Sequence, residues 1–229
     1  MRRTDRDHIR ALPLFRNITQ AHFNELMRAG RVQHLPARVT LVNEGEPSHF
    51  LHIIMEGTVE LYCSNAGREI TVDIIYPHTV FILAAVIRNE PYLSSARTLT
   101  EANILMLPSE TVRRVLGSDA AFACAIAVEL AARYNHIVQA LMDQKLRSGA
   151  ERLAKWILDT ERQQGNQGRI VLPYDKRTLA AYLGMTPENL SRNLAMLTNH
   201  GVSGSGREIV ITDRRALRSW ATPVPPSAR

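Results

Sequence analysis

The chain has 229 residues, 28 Lys and Arg against 22 Asp and Glu, a formal net charge of +6, and 45% hydrophobic and 22% charged residues. That length accommodates two small domains with cores of their own, and the composition is that of an ordinary soluble globular protein. Two cysteines, Cys63 and Cys124, make neither a disulfide framework nor a metal box by spacing, so a reducing, cytoplasmic setting is expected and both thiols read as core packing.

The chain opens with Arg2, Arg3, Asp5, Arg6 and Asp7 and no apolar run behind them, which predicts neither a signal peptide nor a membrane span. The first hundred residues then read as short strands: 39–42, 50–55, 58–63, 69–75 and 102–107 are β-branched or alternating runs, punctuated by Gly45, Gly57, Asn65 and Gly67. A small antiparallel sandwich or barrel over residues 1–117 is expected. From Ser118, which can cap, the pattern changes to a long Ala-rich helix over 118–146. In it Ala123, Ala127, Leu130, Tyr134, Ile137, Leu141 and Gln144 step alternately by four and three, the spacing of a short heptad seam. A homodimer seam is one reading of that row; a helix lying on its own domain is the other. The seam stops around 147–149, and a new amphipathic helix carries Leu153, Trp156 and Ile157, so a second domain is placed at 147–229. Residues 1–145 carry 15 basic and 15 acidic side chains, whereas 146–229 carry 13 against 7. The excess charge therefore belongs to the C-terminal part, and a polyanionic partner is expected there.

Residues 175–211 give the pattern of a winged helix-turn-helix. Asp175 can cap a helix running to Leu183, Gly184 supplies a turn, and Thr186 caps a second helix whose first turn takes Pro187 without losing a hydrogen bond. Glu188, Asn189, Ser191 and Arg192 crowd the front of that second helix, while Leu190, Leu194 and Leu197 recur at core spacing. The N-terminal part of such a helix enters the major groove of double-stranded DNA. Glu188 can accept from a cytosine amino group, Arg192 can bond guanine O6 and N7, and Ser191 can approach thymine or phosphate. Lys176 and Arg177 are candidate phosphate contacts, and Arg207 lies in the Gly-Arg-Glu hairpin that follows. A merely solvated helix face is disfavoured, because cap, proline, turn glycine and wing agree.

A β-roll, a long dimerisation helix and a winged helix-turn-helix in this order, an α+β architecture, resemble the CRP/FNR family of bacterial transcription regulators. The resemblance covers nearly the whole chain: Leu12-Pro13-Leu14-Phe15 at the start, Leu41-Val42-Asn43-Glu44-Gly45-Glu46 and Ile54-Met55-Glu56-Gly57-Thr58-Val59 in the roll, and Arg152-Leu153-Ala154 in the second domain. Glu188 with Ser191-Arg192 looks like the recognition motif of the FNR branch, which implies TTGAT-like half-sites read by a homodimer, with RNA polymerase as a further partner. Gly204 stands where relatives have an apolar strand residue, so a loose hairpin is expected.

In relatives that bind cyclic AMP, the stretch after the fourth roll strand begins with Gly and presents a Glu to the ribose and later an Arg to the phosphate. Here those positions correspond to His78, Leu83 and Tyr92. A buried phosphate would meet no partner, which disfavours cyclic AMP. No cysteine precedes Cys63, so the N-terminal iron–sulfur cluster of FNR is excluded. An apolar pocket bounded by His78, Phe81, Leu83, Val86, Tyr92, Leu93, Tyr134 and Ile137 is expected, suited to a flat hydrophobic ligand. Resemblance to DNR- and NnrR-type regulators implies haem and gas sensing; resemblance to HbaR-type regulators implies a small aromatic acid held by Arg97 or Tyr92. The third reading is that the run only packs the roll against the long helix. For haem, His78 is the first candidate ligand, then His8 and His136. An enzyme is the competing class, yet the chain has no phosphate loop, nucleophile elbow, paired metal-ligating His or dinucleotide fingerprint. A DNA-packaging protein would not need a roll domain of neutral charge.

Overall fold

The computed structural model describes residues 3–65 and 67–221. These form two compact units that divide between His136 and Ile137. The first contains α1 (Arg3–Ala11), α2 (Gln20–Ala29), β1 (Arg31–Leu35), β2 (Thr40–Val42), β3 (Phe50–Glu56), β4 (Val59–Asn65), β5 (Arg68–Ile75), β6 (Val80–Phe81), α3 (Leu83–Arg88), β7 (Ser95–Thr98), β8 (Ala102–Pro108), α4 (Ser109–Ser118) and most of α5 (Ala120–Leu146). Two antiparallel four-stranded sheets run in the orders β1-β8-β3-β6 and β2-β7-β4-β5. Strand alternation decides where each side chain goes. Ile54, Phe81, Ile104 and Met106 of the first sheet share an interior with Val59, Leu61, Ile75 and Ala96 of the second. Leu51, Ile53, Leu105 and Leu107 point the other way, onto a core built with Ile9, Phe23, Leu26, Val112, Phe122 and Ile126 from the helices.

This is the expected roll, with additions. The five expected strands are present, and β1, β6 and β7 complete the sheets. At Gly57, φ is +88° and a Cβ would lie 2.4 Å from the Glu101 carbonyl, so only glycine joins β3 to β4 there. Asp119, not Ser118, caps α5: its Oδ1 accepts from the Phe122 N–H at 2.9 Å, while Oδ2 accepts from the Thr19 N–H at 3.0 Å. The Ser118 hydroxyl instead donates back to the Arg114 carbonyl at 3.1 Å.

The second unit holds the end of α5, then α6 (Gly149–Gln163), β9 (Arg169–Val171), α7 (Lys176–Tyr182), α8 (Pro187–Thr198), β10 (Val202–Ser205), β11 (Glu208–Ile211) and α9 (Arg214–Ala221). A capping box between Ser148 and Glu151 starts α6. That helix buries Leu153, Ala154, Trp156 and Ile157, and Leu179, Leu190, Leu197, Ile209 and Leu217 of the other elements are buried too. The units divide inside α5, not at its end, because Asp143 in its last turns pairs with Lys155 of α6 and, at 2.7 Å, with Arg147. Fully buried Glu161 accepts from the Gly168 N–H at 2.9 Å and from Arg214, tying the turn before β9 to α9.

Candidate DNA interface and sensor cleft

Local chemistry sets the helix-turn-helix. Asp175 Oδ1 accepts from the Thr178 N–H at 2.8 Å, and that bond chiefly holds its carboxyl below the usual range. Gly184 follows α7 at φ +65°, a left-handed turn position that favours glycine. Thr186 caps α8 by accepting from the Asn189 N–H at 3.2 Å, with Pro187 in the first turn. Arg152, known from the sequence only as part of a resemblance, clamps the turn: its guanidinium donates to the carbonyls of Leu183 at 3.0 Å and Gly184 at 3.5 Å, and to that of Arg147 at 2.7 Å.

Leu190 and Leu197 pin α8 to the core, and Leu194 is half-buried. Thr186, Glu188, Asn189, Ser191 and Arg192 are all exposed at the front of the helix, with Arg177 exposed and Lys176 half-buried at the start of α7. Glu188's own backbone N–H, the Thr186 hydroxyl and the charges of Arg192 and Arg177 hold its carboxyl below its ordinary value. It is therefore an ionised acceptor at neutral pH beside a cation, the donor and acceptor pair that a C·G edge requires. The wing is fully paired: β10 and β11 run in register through Gly204 opposite Ile209, and β9 adds a third strand. A loose hairpin is not what forms, since Ile209 is buried and holds the strand to which Gly204 pairs. Arg207 is exposed at its tip.

On α5, Ala127, Tyr134, Ile137 and Leu141 are exposed and Leu130 half-buried; Tyr134 is 68% and Ile137 61% exposed. Arg133 of the same helix pairs with Asp73 of β5 at 2.7 Å, joined by His136 at 3.3 Å. His136 is thereby engaged by the Asp73 carboxylate.

The residues expected around one pocket, with Arg97, are not brought together. Phe81 and Tyr92 lie in the roll interior, whereas Leu83 and Val86 belong to the core on the other side of the sheet. The cause is local: Ile82 takes a left-handed φ of 60° at the start of α3 and turns the chain between them. Leu93 is 80% exposed, and Tyr134 and Ile137 are exposed as well. Arg97 is held by Glu60 at 2.7 Å and Glu69 at 2.8 Å and stacks over Tyr62, and the Tyr92 hydroxyl donates to the Phe50 carbonyl at 3.1 Å. Both are already engaged within the roll, so the structure lends no support to an aromatic-acid site there. Cys124 is exposed and Cys63 partly so, against the expectation of core packing; burial still pushes the Cys63 thiol up, away from the reactive thiolate.

An open cleft of about 1140 Å³ lies elsewhere on this unit, lined by Ile9, Leu12, Pro13, Val32, Met55 and Pro77 with three histidines, His8, His34 and His78. His34 is engaged with Asn103 at 2.9 Å and Glu101 at 2.6 Å, which raise its pKa. His8 and His78 have no hydrogen bond or ion pair from their rings among the described residues. His78 sits at φ +67°, which agrees with its alignment to a family glycine. Histidine is among the residues that tolerate such a turn.

Residues 32–119 match the cyclic nucleotide-binding domain, and residues 151–220 match the Crp-like helix-turn-helix domain. The nitrogen fixation regulation protein FixK of Azorhizobium caulinodans is 27% identical over 136 residues, covering 56% of this chain and only 55% of that regulator. The CRP-like cAMP-activated global transcriptional regulator of Mycobacterium tuberculosis is 24% identical over 210 residues, covering 89% and 94%. The structure of FixK2 from Bradyrhizobium japonicum has the same fold, with a TM-score of 0.76, 22% identity and coverage of 85% of this chain and 98% of that one. Both domains stand in this order along one chain, so the protein has the domain composition of a CRP/FNR-type regulator, a cyclic-nucleotide-binding-like domain followed by a Crp-like helix-turn-helix domain.

Proposed function

We propose that the protein acts in the cytoplasm as a homodimer that reads two TTGAT-like half-sites with the front of α8 and works with RNA polymerase. The observation that carries this reading is the exposed Glu188 and Arg192 pair at the N-terminal turns of a capped, core-pinned helix. The exposed apolar row on α5 supports the dimer, since such a row is costly in water and a two-fold reader supplies its partner. Selection from a randomised duplex library tests the DNA half: enrichment of a two-fold motif supports it, and enrichment by charge alone without a motif refutes it.

The effector we propose is haem, which would make the regulator a sensor of nitric oxide or oxygen. Support comes from the cleft, where His8 and His78, two of the three histidines singled out from the sequence, stand beside Ile9, Leu12, Val32 and Met55 with no competing partner among the described residues. These imidazoles would hold the iron, and haem would supply the gas-binding site. Binding then favours the spacing of the two recognition helices that suits half-sites one helical turn apart. Cyclic AMP, the activator named for the mycobacterial relative, does not suit this chain, because Leu83 and Tyr92 are buried in the cores and Arg97 is already paired. Titration with hemin should give a Soret band that weakens in His8→Ala and His78→Ala, and calorimetry with cyclic AMP should show no saturable heat. A flat visible spectrum after reconstitution would remove haem.

A further inference from the structure

Arg192 does not stand alone on the recognition helix. Its Nη2 donates to Oδ1 of Asn189, three residues earlier and on the same exposed face, a spacing at which helix side chains meet. Among the described residues this is the one hydrogen bond the Arg192 side chain makes. The Ser191 hydroxyl is turned back to the Pro187 carbonyl at 3.0 Å, so it does not compete for the guanidinium. The Thr186 cap uses the backbone N–H of Asn189, which leaves the carboxamide free for Arg192.

An arginine reads guanine through two parallel N–H bonds, and that contact requires both the plane and the direction of the guanidinium to be set. A long unrestrained side chain loses rotamer freedom on docking. A carboxamide oxygen can fix it in advance without cancelling its charge, as a carboxylate would. We propose that Asn189 is a positioning residue: by accepting from one terminal nitrogen of Arg192 it presets the guanidinium fork, so that discrimination at the base pair read by Arg192 depends on Asn189. The inference rests on Arg192 as a base-reading residue.

The test uses the full-length protein and its Asn189→Ala, Asn189→Asp and Arg192→Ala variants. Each is titrated against the duplex preferred by the parent and against single-base-pair variants of it. Arg192→Ala should flatten the preference at one base pair of each half-site. Asn189→Ala should weaken that same preference about fivefold, the worth of one ordinary hydrogen bond. Asn189→Asp keeps an acceptor for Arg192 and should keep the preference while binding every duplex more weakly, because it adds negative charge near phosphates. A preference in Asn189→Ala equal to the parent's, or a change at a different base pair from the one lost in Arg192→Ala, would overturn the positioning role. No effect of Arg192→Ala on base preference would overturn the base reading on which it rests.

Discussion

Replacing His52 by phenylalanine should stabilise the sensor domain and flatten its response to acid. His52 sits on β3, 1% exposed, its ring stacked on Phe81 with 5.3 Å between centroids and the rings of Phe50 and Tyr92 at 6.5 and 6.4 Å. Neither ring nitrogen makes a well-formed hydrogen bond among the described residues, and burial outweighs what the Phe50 backbone offers the charged form. Burial pushes its pKa from 6.5 down to about 4. The folded protein thus keeps a neutral imidazole where the unfolded chain takes up a proton. Stability falls as pH drops below 6.5, and the loss is complete once pH passes about 4. Across that window the loss is on the order of 3 kcal/mol, and between about pH 7.5 and about pH 5 it is roughly 2 kcal/mol. Phenylalanine keeps the ring and its stacking but drops two unpaired nitrogens, which should add about 1–3 kcal/mol at neutral pH, less some strain from its slightly larger volume. Urea denaturation followed by circular dichroism reads the backbone of both units. Tryptophan fluorescence serves as an internal control, because Trp156 and Trp220 both lie in the second unit. A variant as acid-sensitive as the parent, or less stable at neutral pH, would refute the reasoning.

Three further outcomes follow from the same structure. Lys176→Ala and Arg177→Ala should weaken binding to all duplexes alike, each lowering the slope of log affinity against log salt by about 0.9 if it contacts a phosphate; an unchanged slope places that residue off the backbone. Thr186→Ala removes the α8 cap and should cost about 1 kcal/mol in the second unit, read by tryptophan fluorescence during denaturation. Ile137→Glu sets like charges against each other in the α5 row and should yield monomers by sedimentation with reduced DNA affinity; a mutant that stays dimeric would place the dimer contact elsewhere.

The DNA-binding elements were legible because their determinants are local. Asp175, Gly184, Thr186 and Pro187 each act within a few residues, and each takes the expected role. The row on α5 was legible as a spacing for the same reason. The sensor was read less well because its determinants are long-range. β7 is a Ser-Ala-Arg-Thr segment that becomes a central strand only because small, buried Ser95 and Ala96 fit between β2 and β4. β1 is polar and mostly exposed, and its pairing with β8 alone makes it a strand. α2 and α4 do carry local signals: Thr19 caps α2, in which Phe23, Leu26 and Met27 recur at helical spacing, and Val112 and Val115 repeat that spacing in α4. The assumed pocket failed at Ile82, where a left-handed residue separates Phe81 from Leu83. His8, His34 and His78 share a cleft through folding that no spacing along the chain announces.

Fluorescence anisotropy should decide whether this regulator reads sequence. The full-length protein is titrated, at one fixed salt concentration, against a duplex with two inverted TTGAT-like half-sites one helical turn apart and against a scrambled duplex of equal length and composition. A two-fold reader should bind the first at least about 10³-fold more tightly. Equal affinity for both duplexes would mean that the exposed face of α8 supplies charge and no sequence recognition.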